Sequence, residues 1–453
     1  MCIRDSGKVR LGPPASPEDW PLYRHDPQRS GACPTKLTLP LKSAWSVRLG
    51  GRLTQPVAAD GKLVLCSKDA QTVHCLDAAT GKGLWQFAAG GRVDSPPTLT
   101  DGLCVFGCGD GSVYCLRASD GVLAWRFRAA GVDRRVVADS RLASVWPISG
   151  SVLVLDGVVY FAAGRSSYLD GGIRLFGLDV RSGEKLHEAT VATVPGELGR
   201  RGPPSDGALP DVLVSDGSTI AMRHLGFDRE LKRGGRSPLK TLFASTGLLE
   251  DTWAHRQPWR LGRARGAAAS KSKLIVFDAD RAYGVMNPYT WLKRTPAMWP
   301  AGHDGHLHQK YSRYAASQFP TGVKIAAASN EAAGSSRQDR RGKGKKAAPR
   351  PPAKGWSIDE PIQPRAMVLA DDRLFLAGWR DAVAVQERTG RPLDADNPYP
   401  RPAFLWVLST VDGKRVAERK LDGEPVFDGL IAAYGRLFLS MQDGSVRCLG
   451  HHR

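Results

Sequence analysis

The sequence predicts an all-β fold, a single β-propeller of four-stranded antiparallel blades, on three observations. Tryptophan recurs at an interval of about 40 residues, at Trp45, Trp85 and Trp125. Each interval holds an Asp-Gly turn, alternating apolar residues, a short polar hairpin, a Val-x-Cys-Leu stretch and a second turn before the Trp. The chain also has 50 glycines and 31 prolines in 453 residues, which favours a fold with many turns over a long helical bundle. A four-stranded repeat of this length is the size of one propeller blade.

The repeated unit occurs seven times along the chain. The first two copies are the most regular, and in them Asp60-Gly61 aligns with Asp101-Gly102. The later copies are Ser151–Val191, Asp211–Phe227, Leu242–Met286, Pro364–Leu421 and Glu424–Gly450. Because one such unit cannot bury both faces of its sheet, it needs neighbours on either side. We therefore expect seven blades, with eight as the alternative count.

The two ends of the repeat array complete each other. The last copy stops after its third strand, at Val446–Leu449, and has no Trp strand. The first Trp strand, Ser43–Leu49, has no unit in front of it. We therefore expect the N-terminal strand to finish the last blade and close the ring, which removes the open sheet edges that favour aggregation.

The segments outside the regular repeat have distinct expected roles. The first six residues, MCIRDS, match nothing that follows, so we expect residues 1–18 to be disordered or artefactual, with the propeller spanning 19–450. Residues 294–356 are an inserted loop that contains a basic low-complexity segment, 330–355. Shorter insertions lie at Arg126–Trp146 and Thr193–Pro210. No signal peptide is visible in Met1–Pro17, and no apolar stretch is long enough to be a transmembrane segment.

The charge is strongly basic, with a formal net charge of +19. Eight basic residues and one acidic residue lie between Gly334 and Gly355. A basic surface attracts nucleic acid, anionic lipid or acidic polymers. No nucleic-acid-binding module is visible, so we expect no specific nucleic acid. An anionic polymer or lipid remains a candidate ligand of the basic loop.

The repeat units resemble the pyrroloquinoline-quinone-like (PQQ-like) β-propeller repeats. The segment Asp19–Asp26, with Arg29-Ser30-Gly31 after it, is also similar to the lead-in of many members of that family. The superfamily includes the quinoprotein alcohol dehydrogenases and the lipoprotein of the outer-membrane barrel-assembly machinery. The resemblance covers roughly residues 19–450 and is strongest in the first two units and the last. It implies a periplasmic or other extracytoplasmic location, with a protein or another envelope component as partner.

The resemblance does not extend to a cofactor site. The dehydrogenases of the family hold the quinone between a Trp face and two adjacent disulfide-bonded cysteines, with Ca²⁺ on nearby Glu, Asn and Asp. This chain has eight cysteines but no adjacent pair, and its three asparagines lie in no recognisable metal site. We therefore expect no cofactor, neither PQQ nor Ca²⁺. His303–His308 has ligand types that bind metals, and we expect a solvated loop there and no metal.

The repeated Trp and Cys residues are expected to be structural. Trp45, Trp85 and Trp125 recur strictly, which favours packing between blades over a ligand platform. Cys75 and Cys115 share one repeat position with Cys448 and are expected to be small apolar core residues.

Candidate ligand-binding residues lie where the repeat breaks down, because functional sites often violate local rules. The third unit replaces a short turn with Arg165–Gly172, and a second polar cluster interrupts the fifth unit. The candidates are Arg165, Ser166, Ser167, Tyr168, Asp170, Asp251, Trp253, His255 and Arg256. The alternative is that Arg–Asp and His–Asp pairs brace irregular blades.

No reaction is specified by the sequence. The G-x-S-x-G, H-E-x-x-H and P-loop motifs are absent. Asp251 and His255 without a nucleophile do not define chemistry, so no catalytic residue is predicted. The sequence thus predicts a non-enzymatic propeller acting as a binding or scaffold module in the bacterial cell envelope. A quinone-dependent dehydrogenase-like oxidoreductase, or the propeller part of a larger truncated enzyme, is the alternative.

Overall fold

The computed structural model describes residues 2–4, 16–138, 141–193, 210–223, 225–236, 242–243, 260–261, 274–286, 323–329, 356–360, 362–380 and 403–451. Every regular element in these residues is a β-strand, as the sequence predicts. The part of the chain described here includes no helix that could span a membrane.

The strands follow in chain order. The first are β1 (Cys2–Arg4), β2 (Ala32–Cys33), β3 (Lys42–Arg48), β4 (Val57–Ala59), β5 (Lys62–Ser67), β6 (Thr72–Asp77), β7 (Gly83–Ala88), β8 (Thr98–Thr100), β9 (Leu103–Gly107), β10 (Ser112–Arg117), β11 (Leu123–Arg128), β12 (Arg135–Ala138) and β13 (Arg141–Ser144). The middle ones are β14 (Leu153–Leu155), β15 (Val158–Ala163), β16 (Ile173–Asp179), β17 (Lys185–Val191), β18 (Val214–Ser215), β19 (Ile220–Met222), β20 (Leu225–Phe227), β21 (Arg233–Arg236), β22 (Leu242–Phe243) and β23 (Arg260–Leu261). The last are β24 (Leu274–Phe277), β25 (Arg281–Met286), β26 (Val323–Ser329), β27 (Ser357–Glu360), β28 (Ile362–Ala370), β29 (Arg373–Arg380), β30 (Ala403–Ser409), β31 (Arg415–Leu421), β32 (Pro425–Ala433), β33 (Arg436–Met441) and β34 (Ser445–Gly450).

The described strands form seven antiparallel meanders of four strands, which we number sheets 1 to 7. They are β4–β7, β8–β11, β14–β17, β18–β21, β24–β27, β28–β31, and β32–β34 with β3. Strand β1 extends sheet 2 beyond β11, and β2 pairs in parallel with β28 of sheet 6. Two further sheets have two strands each, β12–β13 and β22–β23. The first turn of sheets 1 to 3 is an Asp-Gly pair with both residues at positive φ, such as Asp60 (51°) and Gly61 (68°). This is the geometry of a tight hairpin turn.

The N-terminal strand completes sheet 7. Strand β3 pairs antiparallel with β34, with Ser43 opposite Leu449 and Val47 opposite Val446. The predicted pairing of the N-terminal strand with the last unit is therefore present, and β3 is the fourth strand that the last repeat lacks.

The repeated tryptophans pack between neighbouring sheets. The indole N–H of Trp85 donates to the carbonyl of Ala118 at 2.9 Å, and that of Trp125 donates to the carbonyl of Val180 at 2.9 Å. A Cβ on Gly121 would lie 2.7 Å from the ring of Trp85, and a Cβ on Gly183 would lie 2.7 Å from the ring of Trp125. Both turn positions therefore require glycine. Trp45 makes the same contact with sheet 1. Trp356, which the repeat pattern did not reveal, precedes β27 of sheet 5 and makes the same contacts with Thr410 and Gly413 of sheet 6.

Apolar clusters join the sheets into one body. They bridge sheets 1 and 2, 2 and 3, 3 and 4, and 5 and 6, and a larger cluster spans sheets 6, 7 and 1. Cys75, Cys115 and Cys448 are fully buried in these clusters, as predicted from their shared repeat position. Burial raises the pKa of the Cys75 thiol to about 12, so it stays protonated and behaves as a small apolar group.

Residues Asp19–Cys33, which we call the lead-in segment, contact the inner strand region of all seven sheets. Backbone hydrogen bonds join it to five residues that lie just before the first turn of their sheets: Ala58, Leu99, Ser215, Phe277 and Leu369. Arg29 reaches the carbonyl of Val152 in sheet 3, and Arg24 pairs with Asp428 in sheet 7. The segment therefore lies across the inner strands at the end where the first turns are found.

Candidate functional site

The opposite end of the sheets carries the middle turns, and we call this end the rim. In sheets 1 and 2 the middle turn is short, whereas in sheet 3 residues Arg165–Gly172 form a longer rim loop between β15 and β16. Asp170 and Gly171 have positive φ, and Gly172 has φ 98°. A Cβ on Gly172 would lie 2.4 Å from the carbonyl oxygen of Val191, so only glycine fits where the loop rejoins β16.

Most polar groups of the rim loop form ion pairs or hydrogen bonds, either within the loop or with neighbouring residues. Arg165 pairs with Asp170 at 2.7 Å, and the backbone carbonyl of Asp170 accepts the indole N–H of Trp146 at 3.1 Å. Ser167 is buried, and its hydroxyl accepts from Thr193 at 2.9 Å. The Ser166 hydroxyl accepts the backbone N–H of Tyr168 at 3.2 Å.

The tip of the rim loop is the part that faces solvent. Tyr168 is 37% exposed and Leu169 is 49% exposed, while the serines beside them are buried. The structure thus brings the five predicted ligand residues of this loop together, with the charged and hydroxyl groups largely satisfied and the tyrosine outward. Their role as a ligand site stays a prediction.

A two-stranded hairpin stands next to the rim loop. Strands β12 and β13, which we call the hairpin arm together with residues 132–134, lie within the insertion Arg126–Trp146. Arg134 in the arm approaches Asp170 of the rim loop, with 3.4 Å between Nη1 and Oδ1. The base of the arm is fixed to sheet 2 by the Ser144 N–H, which donates to the carbonyl of Gly109 at 2.9 Å. The sequence identified this stretch only as an insertion, because a short hairpin with apolar residues outward has no repeat partner to reveal it.

The other predicted clusters lie outside the described residues. This applies to Asp251, Trp253, His255 and Arg256, to His303–His308, and to the basic segment 330–355. Their predicted roles rest on sequence alone.

A buried carboxylate near the inner strands is a residue that the sequence did not single out. Asp211 precedes β18, and its Oδ1 accepts the backbone N–H of Val212 at 2.9 Å. Its Oδ2 has no hydrogen-bond partner in the described part of the chain, and Arg223 Nε is 3.9 Å away. Burial raises the pKa of Asp211 to about 7, offset in part by the Val212 N–H and Arg223. Such a group marks a candidate site, but no nucleophile or second acid accompanies it in the contacts of the described residues.

The described residues do not supply a quinone site like that of the family's dehydrogenases. Seven cysteines, from Cys33 to Cys448, are free and buried, and the whole sequence has no adjacent pair. The lead-in segment lies across the inner strands at the end of the first turns, and the cavity beside Trp20, Arg24, Gln55 and Asp428 measures about 10 Å³. That volume is about the space that one water molecule needs.

The metal half of that site also has no counterpart in the described part of the chain. No three His, Cys, Asp or Glu side chains there are grouped to hold a metal ion. The absence of a cofactor in the protein itself remains a prediction.

Comparisons with known proteins agree on the fold. The family model described as outer membrane protein assembly factor BamB matches residues 42–220. No curated protein matches this chain.

Three solved structures are similar over most of the chain. The quinohemoprotein alcohol dehydrogenase of Comamonas testosteroni is 13% identical, with a TM-score of 0.53 over 99% of this chain and 82% of its own. The quinohemoprotein alcohol dehydrogenase ADHIIG of Pseudomonas putida HK5 is 13% identical, with a TM-score of 0.51 over 97% and 81%. A europium-containing methanol dehydrogenase is 12% identical, with a TM-score of 0.52 over 94% and 90%. At these identities the likeness shows a β-propeller fold alone.

Proposed function

We propose that this chain, which belongs to the PQQ-like β-propeller repeat family, is a non-enzymatic binding or scaffold module of the bacterial cell envelope. Its recognition surface is the rim of sheet 3, formed by the rim loop and the hairpin arm. Its partner is a protein or another envelope component. The alternative, an oxidoreductase that uses a quinone between the inner strands, is an outcome of the experiment below.

One observation carries the proposal: buried polar contacts hold the lead-in segment across the inner strands of the sheets. Arg24 and Asp428 form a buried ion pair with a second hydrogen bond at 3.0 Å, and the Tyr23 hydroxyl donates to the same carboxylate at 2.8 Å. Arg29 is fully buried and donates to the carbonyls of Tyr23 and Leu213. Burial lowers the pKa of Arg29 to about 10, so it remains charged at neutral pH and depends on these carbonyls. Displacing this network to admit a cofactor would leave buried charges without partners.

The proposal includes a closed ring of seven blades within residues 19–450. It is supported by the apolar clusters that bridge six of the seven junctions and by the lead-in segment, which reaches both sheet 4 and sheet 5. In this proposal residues 294–322 and 330–355 are insertions outside the ring, whereas β26 between them is the third strand of sheet 5. Residues 1–18 also lie outside the ring, with β1 at the outer edge of sheet 2. An eight-bladed ring is the alternative count.

The basic segment 330–355 is a second contact in this proposal, toward an anionic polymer or lipid. Deletion of residues 334–355 would lower the formal charge from +19 to +12. Retention on heparin should then fall, and the difference should shrink as salt rises, because screening weakens exposed charges. Unchanged retention after deletion would contradict this part of the proposal.

Two measurements test the proposed function. The first uses the purified full chain, and the second is photo-crosslinking in bacteria that produce the protein. With PQQ and Ca²⁺ added, we expect no quinone absorption band on the protein after desalting and no alcohol-dependent dye reduction. Appearance of both would favour the oxidoreductase. A photo-crosslinking residue at Tyr168 should capture a discrete envelope component, whereas one at Val411, which is exposed in the turn between β30 and β31, should not. Equal capture at both positions, or none, would count against a rim surface.

A further inference from the structure

Most exposed large apolar side chains of the described residues fall into two groups; Val122 and Val411, in the turns before the fourth strands of sheets 2 and 6, belong to neither. Leu84, Leu186 and Val416 each occupy the second position of the fourth strand of their sheets, so their exposure follows from the repeat. A second group has no repeat partner and is confined to the hairpin arm and the rim loop. It consists of Val132, Val137, Leu142, Tyr168 and Leu169. Large apolar groups gathered on one surface mark sites of interaction.

The arm presents its apolar pair on a fixed base. Val137 lies directly opposite Leu142 in the β12–β13 register, and they are 77% and 61% exposed. The Val145 N–H donates to the carbonyl of Arg134 at 3.0 Å, which holds the two ends of the arm together. A two-stranded hairpin is marginally stable alone, so exposing such a pair has a cost that a partner would offset.

The charges around this pair are mainly positive. Arg128, Arg134, Arg135 and Arg165 are all partly or largely solvent-exposed. Two carboxylates balance them: Asp133, which pairs with Arg135 at 2.9 Å, and Asp170, which contacts Arg134 and Arg165. Each arginine contacts one of these carboxylates, and the group of four arginines and two aspartates keeps a net charge of +2. This surplus favours a partner with acidic side chains.

The backbone of the arm is also available. In the part of the chain described here, β12 and β13 form a sheet with no third strand. A strand edge that has no neighbour can accept an extended peptide through main-chain hydrogen bonds, with alternate side chains giving specificity.

We propose that the hairpin arm and the tip of the rim loop bind an extended segment of a partner protein in which apolar and acidic residues alternate. The apolar side chains contact Val137, Leu142 and Leu169, and the acidic side chains, on the other face of the peptide, lie toward Arg134. This inference rests on the proposed function, since it names the chemistry of the partner at the proposed surface.

The test uses the full-length protein and a fluorescein-labelled ten-residue peptide of alternating valine and glutamate, measured by fluorescence anisotropy. We expect saturable binding that exceeds that of the valine–lysine and serine–glutamate peptides by about tenfold or more. V137S with L142S should weaken binding at least tenfold, whereas the matched pair L186S with V416S should leave it unchanged. Arg134→Glu should reverse the preference between the glutamate and lysine peptides.

Hydrogen exchange on the unmodified protein tests the binding site without a substitution, so its result does not depend on whether a variant folds. The amides of β12 and β13 should gain protection when the valine–glutamate peptide is added. No saturable binding, an equal loss in both variant pairs, or no added protection in the arm would overturn the inference. Capture of an envelope component at Tyr168 together with any of these results would leave the proposed function standing and reject only this partner chemistry.

Discussion

A tryptophan that recurs along the chain has a different environment in each sheet, and single substitutions can measure this. Trp125 is fully buried and packs on the Gly183 turn, whereas Trp85 is partly exposed over the equivalent Gly121 turn. Trp125→Ala should lower the free energy of unfolding by about 3–5 kcal/mol, the cost of emptying a large buried aromatic site. Trp85→Ala should cost less. Urea unfolding of both proteins gives the comparison, and losses under about 1 kcal/mol at both positions would reopen a ligand role for these residues.

Asp211 should make stability depend on pH with an unusual sign. Its folded pKa is about 7 against an ordinary value of 3.8, so between these values the folded protein keeps a proton that the unfolded chain releases. The folded state binds more protons there, and stability falls as pH rises toward 7 and is level above it. The full effect is on the order of a few kcal/mol, at about 1.4 kcal/mol for each pKa unit.

The substitution Asp211→Asn isolates this effect because its amide oxygen can still accept the Val212 N–H. The variant should melt near the wild-type temperature at pH 4.5 and above it at pH 8. Asp422→Asn, at a carboxylate whose side chain is 91% exposed, is the matched control and should show no such divergence. Parallel melting curves for Asp211→Asn and the wild type at both pH values would mean that Asp211 is ionised in the fold.

At the scale of elements, the lead-in segment depends on one ion pair. Arg24 and Asp428 are both almost fully buried, with Nη1 and Oδ2 2.8 Å apart. Arg24→Met leaves the carboxylate uncompensated and should cost about 3–5 kcal/mol. Adding Asp428→Asn removes that charge and should restore part of the loss, since Asn tolerates the positive φ of this position, 55°.

A double-mutant cycle measures the coupling of this pair through the urea midpoints of four proteins. Additive losses, or a single-variant loss below about 1 kcal/mol, would show that this ion pair does not hold the segment in place. The Tyr23 hydroxyl stays in all four proteins, so its bond to residue 428 does not bias the comparison.

The sequence predicted the elements that repeat along the chain, but it did not predict those that occur once. Asp-Gly turns, Val-x-Cys-Leu strands and Trp strands predict sheets 1, 2 and 7, because each rule is repeated at a fixed spacing. The hairpin arm follows no repeat, and β12 has the short apolar sequence Arg-Val-Val-Ala, which is typical of a buried strand as much as an exposed one. The bracing of Arg165 by Asp170 depends on loop geometry, which residue types alone do not fix.

On the scale of the molecule, the candidate site was predicted less completely than the fold. The propeller architecture can be predicted from turns and periodicity, because both are recognisable in short segments of the sequence. The contact between Arg134 and Asp170 joins residues of two sheets, and the contact of Arg24 with Asp428 joins opposite ends of the chain. Such pairings depend on how the sheets are placed around the axis, so the sequence of either partner carries no sign of them.

The N-terminal residues are expected to hold the proposed ring closed, and two truncations separate their contributions. Among the described strands, removal of residues 1–15 takes only β1, from the outer edge of β11. Removal of residues 1–50 takes the lead-in segment and also β3, the fourth strand of sheet 7. The shorter truncation should remain monomeric and folded, since β11 keeps its bonds to β10.

The longer truncation should aggregate and melt at a lower temperature. It exposes the edge of β34, which then offers unpaired backbone groups to another molecule. It also removes the bonds that the lead-in segment makes to all seven sheets, so the buried carboxylate of Asp428 loses Arg24 and Tyr23 together. Light scattering after size exclusion and thermal melting give the comparison. A 51–453 protein that stays monomeric with an unchanged melting curve would show that the sheets hold their arrangement without the N-terminal strand.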